Sequence, residues 1–123
     1  MAYAITVSDS FVARHALTVP DAGPEGELHT HQYAVDATFR GDELDERAYL
    51  LDVDEATAAL TSVLDRYRDA TLNECLPGNP SCERLATAIH DDLRRSVDAR
   101  AVERLEVAVQ EDDVAVVSYV GSV

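Results

Sequence analysis

The stretch HTHQYAVDATF, residues 29–39, alternates apolar and polar side chains, as a β-strand with one buried face does. Its inward parity holds Tyr33, Val35, Ala37 and Phe39. Upstream, YAITVSDSFVARHAL (3–17) is rich in β-branched and aromatic residues and predicts one long strand with a bulge, or two strand pieces. The intervening TVPDAGPEGE contains two prolines and two glycines, which predicts an exposed loop between antiparallel strands.

The middle of the chain changes period. RGDELDE predicts a polar turn, and RAYLLD (47–52) predicts a short strand leading back. Residues 52–68 then place apolar side chains at helical spacing, and Asp52 or Asp54 is a suitable N-cap. This segment is the first predicted helix.

A second helix is predicted over residues 81–97, where Asn79 and Pro80 suit the N-cap and the first helical position. AVERLEVAVQ and DVAVVSYV then form two alternating strands joined by a tight EDD turn. The order ββααββ predicts an α+β fold in one domain, residues 1–123, with an antiparallel four-stranded sheet and two helices packed on one face. The other sheet face or its edges are expected to meet other subunits.

The charge of the chain is strongly acidic. Asp and Glu number 24 against 10 basic residues, all of them Arg, and the net charge is −14. Such a surface repels nucleic acid and anionic membranes, so we expect neither as a partner. No apolar run of about 18 residues and no secretory signal are visible, which predicts a cytoplasmic protein. The acidic surface also indicates a halophilic protein, adapted to high salt.

The two cysteines match no metal or redox spacing. Cys75 and Cys82 are separated by a loop sequence rich in proline, and we expect both to be plain thiols. On the second helix, His90 stands beside two aspartates and is expected on a solvated face. Glu83, in the first turn of that helix, suits the positive end of the helix dipole.

The remaining three histidines could form a metal site. His29 and His31 are two residues apart in a strand, so their side chains project from the same face. Antiparallel pairing could bring His15 beside them, and three imidazoles leave one open position on Zn²⁺. Taken alone, this signal is weak, because exposed strand histidines are common.

Six motifs in register strengthen the metal interpretation. FVARHAL resembles F-x-A-x-H-x-L, LHTHQYAV resembles L-H-G-H-x-[YF]-x-V, and YLLDVDE resembles G-x-[VI]-x-D-F. RDATLNE falls where L-D-H-x-x-L-N is expected, NPSCERLA where N-P-T-x-E-x-L-A is, and VQED where V-x-E-T is. These patterns are those of the 6-pyruvoyltetrahydropterin synthase and 6-carboxytetrahydropterin synthase family, which the chain resembles over almost its whole length.

The resemblance implies the tunnelling fold, Zn²⁺ held by His15, His29 and His31, and Glu111 as the residue that anchors the pterin ring. It also implies a homo-oligomer, a hexamer of two stacked trimers with sites between subunits. The implied activity is a zinc-dependent lyase acting on the side chain of 7,8-dihydroneopterin or its triphosphate.

Three departures from the family pattern bear on that activity. Glu25 stands where the catalytic cysteine is expected, Asp69 is followed by Ala70 instead of histidine, and Thr30 replaces a glycine. The resemblance implies that a glutamate near that position gives 6-hydroxymethyl-7,8-dihydropterin by a retro-aldol route. Glu25 and Asp69 are therefore the candidate catalytic residues, and Glu27 competes with Glu25 for the role of base.

Two other interpretations stay open. In one, the chain is a catalytically silent paralogue that binds zinc and pterin, as the loss of the cysteine and the histidine favours. In the other, it is an oligomeric scaffold whose histidines bind nothing.

Overall fold

The alternating segments form two long antiparallel strands of 13 residues each, β1 (Tyr3–His15) and β2 (His29–Gly41). The computed structural model describes all 123 residues. Pairing runs one to one from Tyr3 opposite Gly41 to His15 opposite His29. The predicted bulge or break in β1 is therefore wrong. The polar SDS segment stays in the strand because Ser8 Oγ donates to Asp36 Oδ1 on β2, at 2.6 Å.

The sheet is completed by a C-terminal hairpin, β3 (Arg104–Glu111) and β4 (Ala115–Ser122), in the antiparallel order β1-β2-β3-β4. The predicted four-stranded sheet with helices on one face is confirmed. The structure adds a third, one-turn helix, so the helices are α1 (Val53–Leu64), α2 (Leu72–Cys75) and α3 (Cys82–Ser96). No helix has the length and apolar character needed to span a membrane.

The core lies between the sheet and helices α1 and α3. The residues of β2 that were predicted to face inward are fully buried, and every second residue of β3 is buried beside them. Burial of these apolar side chains is the main stabilising contribution to the fold. The largest of them are Tyr33, Phe39, Leu60, Leu64, Leu72, Leu85, Ile89, Leu93 and Leu105.

The strand predicted over residues 47–52 is wrong. This segment consists of turns, in which Asp45 Oδ1 accepts from the backbone N–H groups of Arg47 and Tyr49. Ala48 adopts a positive φ of 62°, which an extended strand excludes. Leu50 and Leu51 are nevertheless buried, so their apolar character reports core contact and not strand pairing.

The helix starts follow side-chain capping. Asp52 caps α1, as predicted, by accepting from the backbone N–H groups of Asp54 and Glu55. The cap of α3 is Ser81, whose Oγ accepts from Arg84 N at 3.1 Å, so the prediction of Asn79 was wrong. Asn79 is engaged elsewhere, since its Oδ1 accepts from the backbone N–H of Thr18.

His90 lies in the interior, so the predicted solvated face is wrong. The residue is 2% exposed, and its ring packs edge-on against Tyr119 of β4 with centroids 4.8 Å apart. The buried stripe of α3 is Leu85, Ala86, Ile89, His90 and Leu93, so His90 follows the helical spacing of its apolar neighbours. Asp91, next along the helix, remains partly exposed.

Candidate metal centre

Three histidines meet where β1 ends and β2 begins. His15 and His29 are direct partners across the two strands, and His31 follows on the same face of β2. Their ring centroids are separated by 4.6 Å (His15 to His29), 5.0 Å (His15 to His31) and 4.6 Å (His29 to His31). One nitrogen from each ring lies within 4.8 Å of the other two. The structure thus brings together the three residues predicted as ligands.

The hydrogen bonds of the rings define their tautomers. Nδ1 of His15 lies 2.9 Å from Pro80 O, Nδ1 of His29 lies 2.7 Å from Glu27 O, and Nδ1 of His31 lies 2.6 Å from Asp112 Oδ2. Carbonyl and carboxylate oxygens only accept, so each Nδ1 donates. Each Nε2 then keeps its lone pair when the ring is neutral, and that lone pair is what a metal binds.

The Nε2 atoms of all three rings are buried and have no hydrogen-bond partner. Buried polar atoms without partners are rare, because the lost solvation is not replaced. Burial also lowers the pKa of His15, and the two neighbouring histidines lower it further, against a raising effect of the Pro80 carbonyl. A lowered pKa favours the neutral ring. Three neutral imidazole nitrogens fit Zn²⁺ with one position left open.

Glu111 and Tyr33 border the cluster on its inner side. Glu111 ends β3 directly opposite Tyr33 on β2, and its Oε1 lies 3.4 Å from His31 Nε2. The two atoms are close but form no hydrogen bond. The Tyr33 hydroxyl is buried without a partner, and burial followed by Glu111 raises its pKa. The carboxylate of Glu111, predicted as the ring anchor, therefore lies beside the Nε2 atom of His31.

Glu25 lies in the loop between the two strands that carry the histidines. It belongs to a 3₁₀ turn, Gly23–Gly26, and its backbone carbonyl accepts from Leu17 N at 2.8 Å. The side chain is exposed and forms no hydrogen bond or ion pair. The structure thus does not join the Glu25 carboxylate to the histidines.

Asp69 is held by its backbone. Its N–H donates to Val12 O at 2.7 Å, its carbonyl accepts from the Arg14 guanidinium, and its φ is 59°. The adjoining Thr71 pairs with Arg14 in a parallel bridge. The side chain of Asp69 is exposed and forms no hydrogen bond, so the structure does not join it to the histidine cluster.

Sequence reasoning missed one contributor to the site. Asp112 holds His31, but sequence alone does not distinguish it from the other carboxylates of the EDD turn. Cys82 lies at the start of α3, with Sγ 3.8 Å from Val109 O, and burial, Glu111 and Glu83 raise its pKa to about 12. At neutral pH it is therefore a thiol, as expected of a plain cysteine.

The fold and the site together define a class of protein: an antiparallel four-stranded sheet with helices on one face and a three-histidine cluster where its first two strands meet. Residues 4–122 match the family model described as 6-pyruvoyl tetrahydropterin synthase. The chain belongs to that family. Among curated proteins, none matches the sequence.

Solved structures show the same fold at low sequence identity. A catalytic-residue mutant of Plasmodium vivax 6-pyruvoyltetrahydropterin synthase is 16% identical, with a TM-score of 0.83 and 98% of each chain covered. The Caenorhabditis elegans 6-pyruvoyl tetrahydropterin synthase is 19% identical, with a TM-score of 0.80, covering 98% of this chain and 96% of that one. A putative Vibrio cholerae dihydroneopterin aldolase is more distant, at 10% identity and a TM-score of 0.54, with 98% of each chain covered.

Proposed function

We propose that this chain is a zinc-dependent lyase that acts on the side chain of 7,8-dihydroneopterin or its triphosphate. The observation that carries the proposal is the convergence of three buried Nε2 atoms, each left without a partner, beside the Glu111 carboxylate. Family membership gives the substrate class, since the family is that of 6-pyruvoyl tetrahydropterin synthase. His15, His29 and His31 are the proposed ligands of Zn²⁺.

Glu111 is the proposed anchor of the pterin ring. A pterin presents a 2-amino group and an N3–H side by side, and one ionised carboxylate accepts both in a bidentate contact. The carboxylate of Glu111 is only 25% exposed, so such a contact is sheltered from water. The distance of 3.4 Å between Glu111 Oε1 and His31 Nε2 supports a ring bound next to the proposed ligand nitrogens.

Glu25 is the proposed base, and 6-hydroxymethyl-7,8-dihydropterin the proposed product. Bound zinc supplies Lewis-acid polarisation of the side-chain oxygens. The Glu25 carboxylate takes the proton of the hydroxyl whose carbon becomes the carbonyl of the departing fragment. The carbon–carbon bond breaks, its electron pair stays on the pterin side, and a proton returns to that carbon. Asp69 would orient a water or a partner group.

Two observations support a glutamate in this role. The P. vivax protein compared above has been studied as catalytic-residue mutants in which a glutamate is replaced by alanine or by cysteine. In the present chain, Glu25 is exposed in the loop that joins the ligand-bearing strands, so its carboxylate is free to meet a substrate. Glu27 remains the competitor, and its carbonyl already binds His29.

A second candidate is a catalytically silent protein that binds zinc and pterin. It is favoured by a specific observation: the carboxylates of Glu25 and Asp69 contact none of the three histidines. Ala70, where the family pattern has histidine, also removes a proton carrier. The scaffold interpretation is less favoured, because three unpartnered Nε2 atoms within 4.8 Å of one another form a ready set of metal ligands.

We propose that the active form is a homohexamer of two stacked trimers, with sites between subunits. β4 is one of the two edge strands of the sheet, and its Val116 and Val120 are 64% and 52% exposed. An exposed apolar edge strand favours pairing with another chain. Light scattering after size-exclusion chromatography tests the assembly, and a monomer at micromolar concentration would contradict it.

We also propose a cytoplasmic setting of high salt. The chain has 24 acidic residues, 10 arginines and no lysine, and salt would screen their mutual repulsion. A melting temperature that rises between dilute buffer and molar KCl supports this habitat. Equal stability and solubility in both would contradict it.

Incubation of the zinc-loaded protein with 7,8-dihydroneopterin triphosphate, with identification of the product by mass spectrometry, tests the function. We expect a hydroxymethylpterin, and a loss of about 10²–10⁴ in kcat for Glu25→Gln, the usual contribution of a general base. Glu27→Gln is the matched control and should retain the rate. Equal rates for wild type and Glu25→Gln would exclude Glu25 as base. Tight pterin binding without product would select the silent candidate.

A further inference from the structure

The turn after β3 carries a carboxylate that ties the histidine cluster to the rest of the site. Asp112 Oδ2 accepts from His31 Nδ1 at 2.6 Å, and Asp112 Oδ1 accepts from the backbone N–H of Gln32 at 2.9 Å. The backbone N–H of Asp112 in turn donates to Gln32 O at 2.7 Å. Two side-chain contacts and one backbone contact thus fix Asp112 between β2 and the β3–β4 turn.

We propose that Asp112 is a positioning residue that holds His31 in the tautomer able to bind a metal and joins the metal centre to the pterin-anchoring end of β3. This inference rests on the proposed function, because it concerns the metal site and the anchor Glu111. Asp112 lies outside the ligand set itself, and it acts through His31.

The geometry distinguishes His31 from the other two ligands. His15 and His29 donate to backbone carbonyls, which no substitution at Pro80 or Glu27 removes. His31 donates to a side-chain carboxylate, and a charged acceptor makes a ligating imidazole a stronger donor to metal. The quoted motif V-x-E-T has threonine at this position, so the carboxylate is a feature of this chain.

The backbone at Asp112 is also unusual. Its φ of 49° lies in the left-handed region, which aspartate and asparagine enter more readily than most residues. Glu111 immediately precedes it, so the conformation that directs Asp112 at His31 also sets the end of the strand that carries the ring anchor. Loss of the contact with His31 should therefore weaken metal binding most and pterin binding to a lesser extent.

Asp112→Asn is the informative variant, because asparagine suits the same backbone but has a single accepting oxygen. If that oxygen accepts from Gln32 N, the amide N–H₂ faces His31 Nδ1. The ring can then relieve the donor–donor conflict by moving its proton to Nε2, which removes the lone pair meant for the metal. Asp112→Gly removes the carboxylate without turning a donor toward His31. Glycine also tolerates the positive φ.

The experiment measures Zn²⁺ affinity by chelator competition, and the absorption spectrum of bound Co²⁺, in the full-length protein. Asp113→Asn is the matched control, since Asp113 is exposed and contacts only Gln110, at 3.4 Å. We expect Asp112→Asn to weaken zinc binding about 10- to 100-fold and to alter the Co²⁺ spectrum. Asp112→Gly should lose less, and Asp113→Asn nothing. The melting temperature of each metal-free variant reports on folding independently.

Wild-type zinc affinity in both Asp112→Asn and Asp112→Gly would overturn the role of Asp112 and leave the proposed function intact. Failure of the wild-type protein itself to bind zinc would overturn both. If Asp112→Asn does not fold, Asp112→Gly decides alone, because it is expected to keep the turn. A Co²⁺ spectrum identical to that of wild type in the folded variant would also count against the inference.

Discussion

Two regions of the molecule each bury a histidine with an unpartnered Nε2, and they differ in what surrounds it. His15 and His90 are both 2% exposed. His15 lies between two further imidazoles within 5.0 Å. His90 has only the Tyr119 ring at 4.8 Å, the Asp91 carboxylate at 3.3 Å from Nδ1, and the Gly121 backbone.

The comparison shows that an orphaned imidazole nitrogen is not by itself a ligand site. A ligand site needs several such nitrogens close together, and at His15 the secondary structure brings them together. Antiparallel pairing places His15 directly opposite His29, while the two-residue strand period adds His31 to the same face. No group of three candidate ligands forms around His90, so we interpret it as a packing residue. The predictions that follow test this contrast.

The largest effect is expected at the ligands. His29→Ala should weaken zinc binding by more than about 100-fold, because loss of a ligand should exceed the 10- to 100-fold effect of losing an outer partner. His90→Phe, which removes the other orphaned nitrogen, should leave zinc affinity unchanged. Chelator competition measures both. Equal losses in the two variants would erase the distinction between the regions.

Glu111→Gln should separate the ring anchor from the metal. Losing a charge-assisted contact of about 1.5–3 kcal/mol predicts pterin binding weaker by roughly 10- to 100-fold. Zinc affinity should hold, because the three Nε2 atoms remain in place. Calorimetric titration with a dihydropterin provides the first value and metal analysis the second. Full pterin affinity in this variant would show that Glu111 does not anchor the ring.

Gly121→Ala should destabilise the region around His90. A Cβ there would lie 2.8 Å from His90 Cε1 and 2.9 Å from Nε2, closer than real contacts allow. Overpacking of this kind costs about 1–3 kcal/mol. In a His90→Ala background the same substitution should cost much less, and urea unfolding of the four proteins measures this coupling. Simple additivity would show that the two residues do not share space.

The smallest effect concerns the two thiols. Cys75 is exposed, whereas burial and two nearby carboxylates raise the pKa of Cys82 to about 12. Because only thiolates react, iodoacetamide at about pH 8 should modify Cys75 first. As long as the pH is below the pKa of Cys82, the labelling rate at this residue should rise roughly tenfold for each unit by which the pH is increased. Peptide mapping by mass spectrometry follows both sites, and faster labelling of Cys82 would contradict its burial.

Much of the fold could be predicted because local patterns and global pairing agree. Alternation in residues 29–39 set the inward face of β2, and that face is fully buried. The same two-residue period predicted that His29 and His31 share a face with room for His15. The strand predicted over residues 47–52 was wrong because apolar side chains can be buried equally well from a turn. Here the hydrogen bonds of Asp45 stabilise the turn.

The rest depended on contacts that sequence does not specify. His90 lies at helical spacing on the buried stripe of α3, but its polar side chain and two aspartate neighbours hid the packing of Tyr119 of β4 against it. Asp112 was indistinguishable from its neighbours in the EDD turn, and only its positive φ directs it toward His31. Glu25, the proposed base, is different again, because its side chain is exposed and forms no hydrogen bond or ion pair that would indicate a role.

Zinc stoichiometry of the untagged protein tests the central claim most directly. We predict one Zn²⁺ per chain in the wild type by elemental analysis, and none above background in His15→Ala, His29→Ala or His31→Ala, with His90→Phe still at one. A wild-type protein without zinc after metal loading, or single histidine variants that retain a full equivalent, would contradict the account.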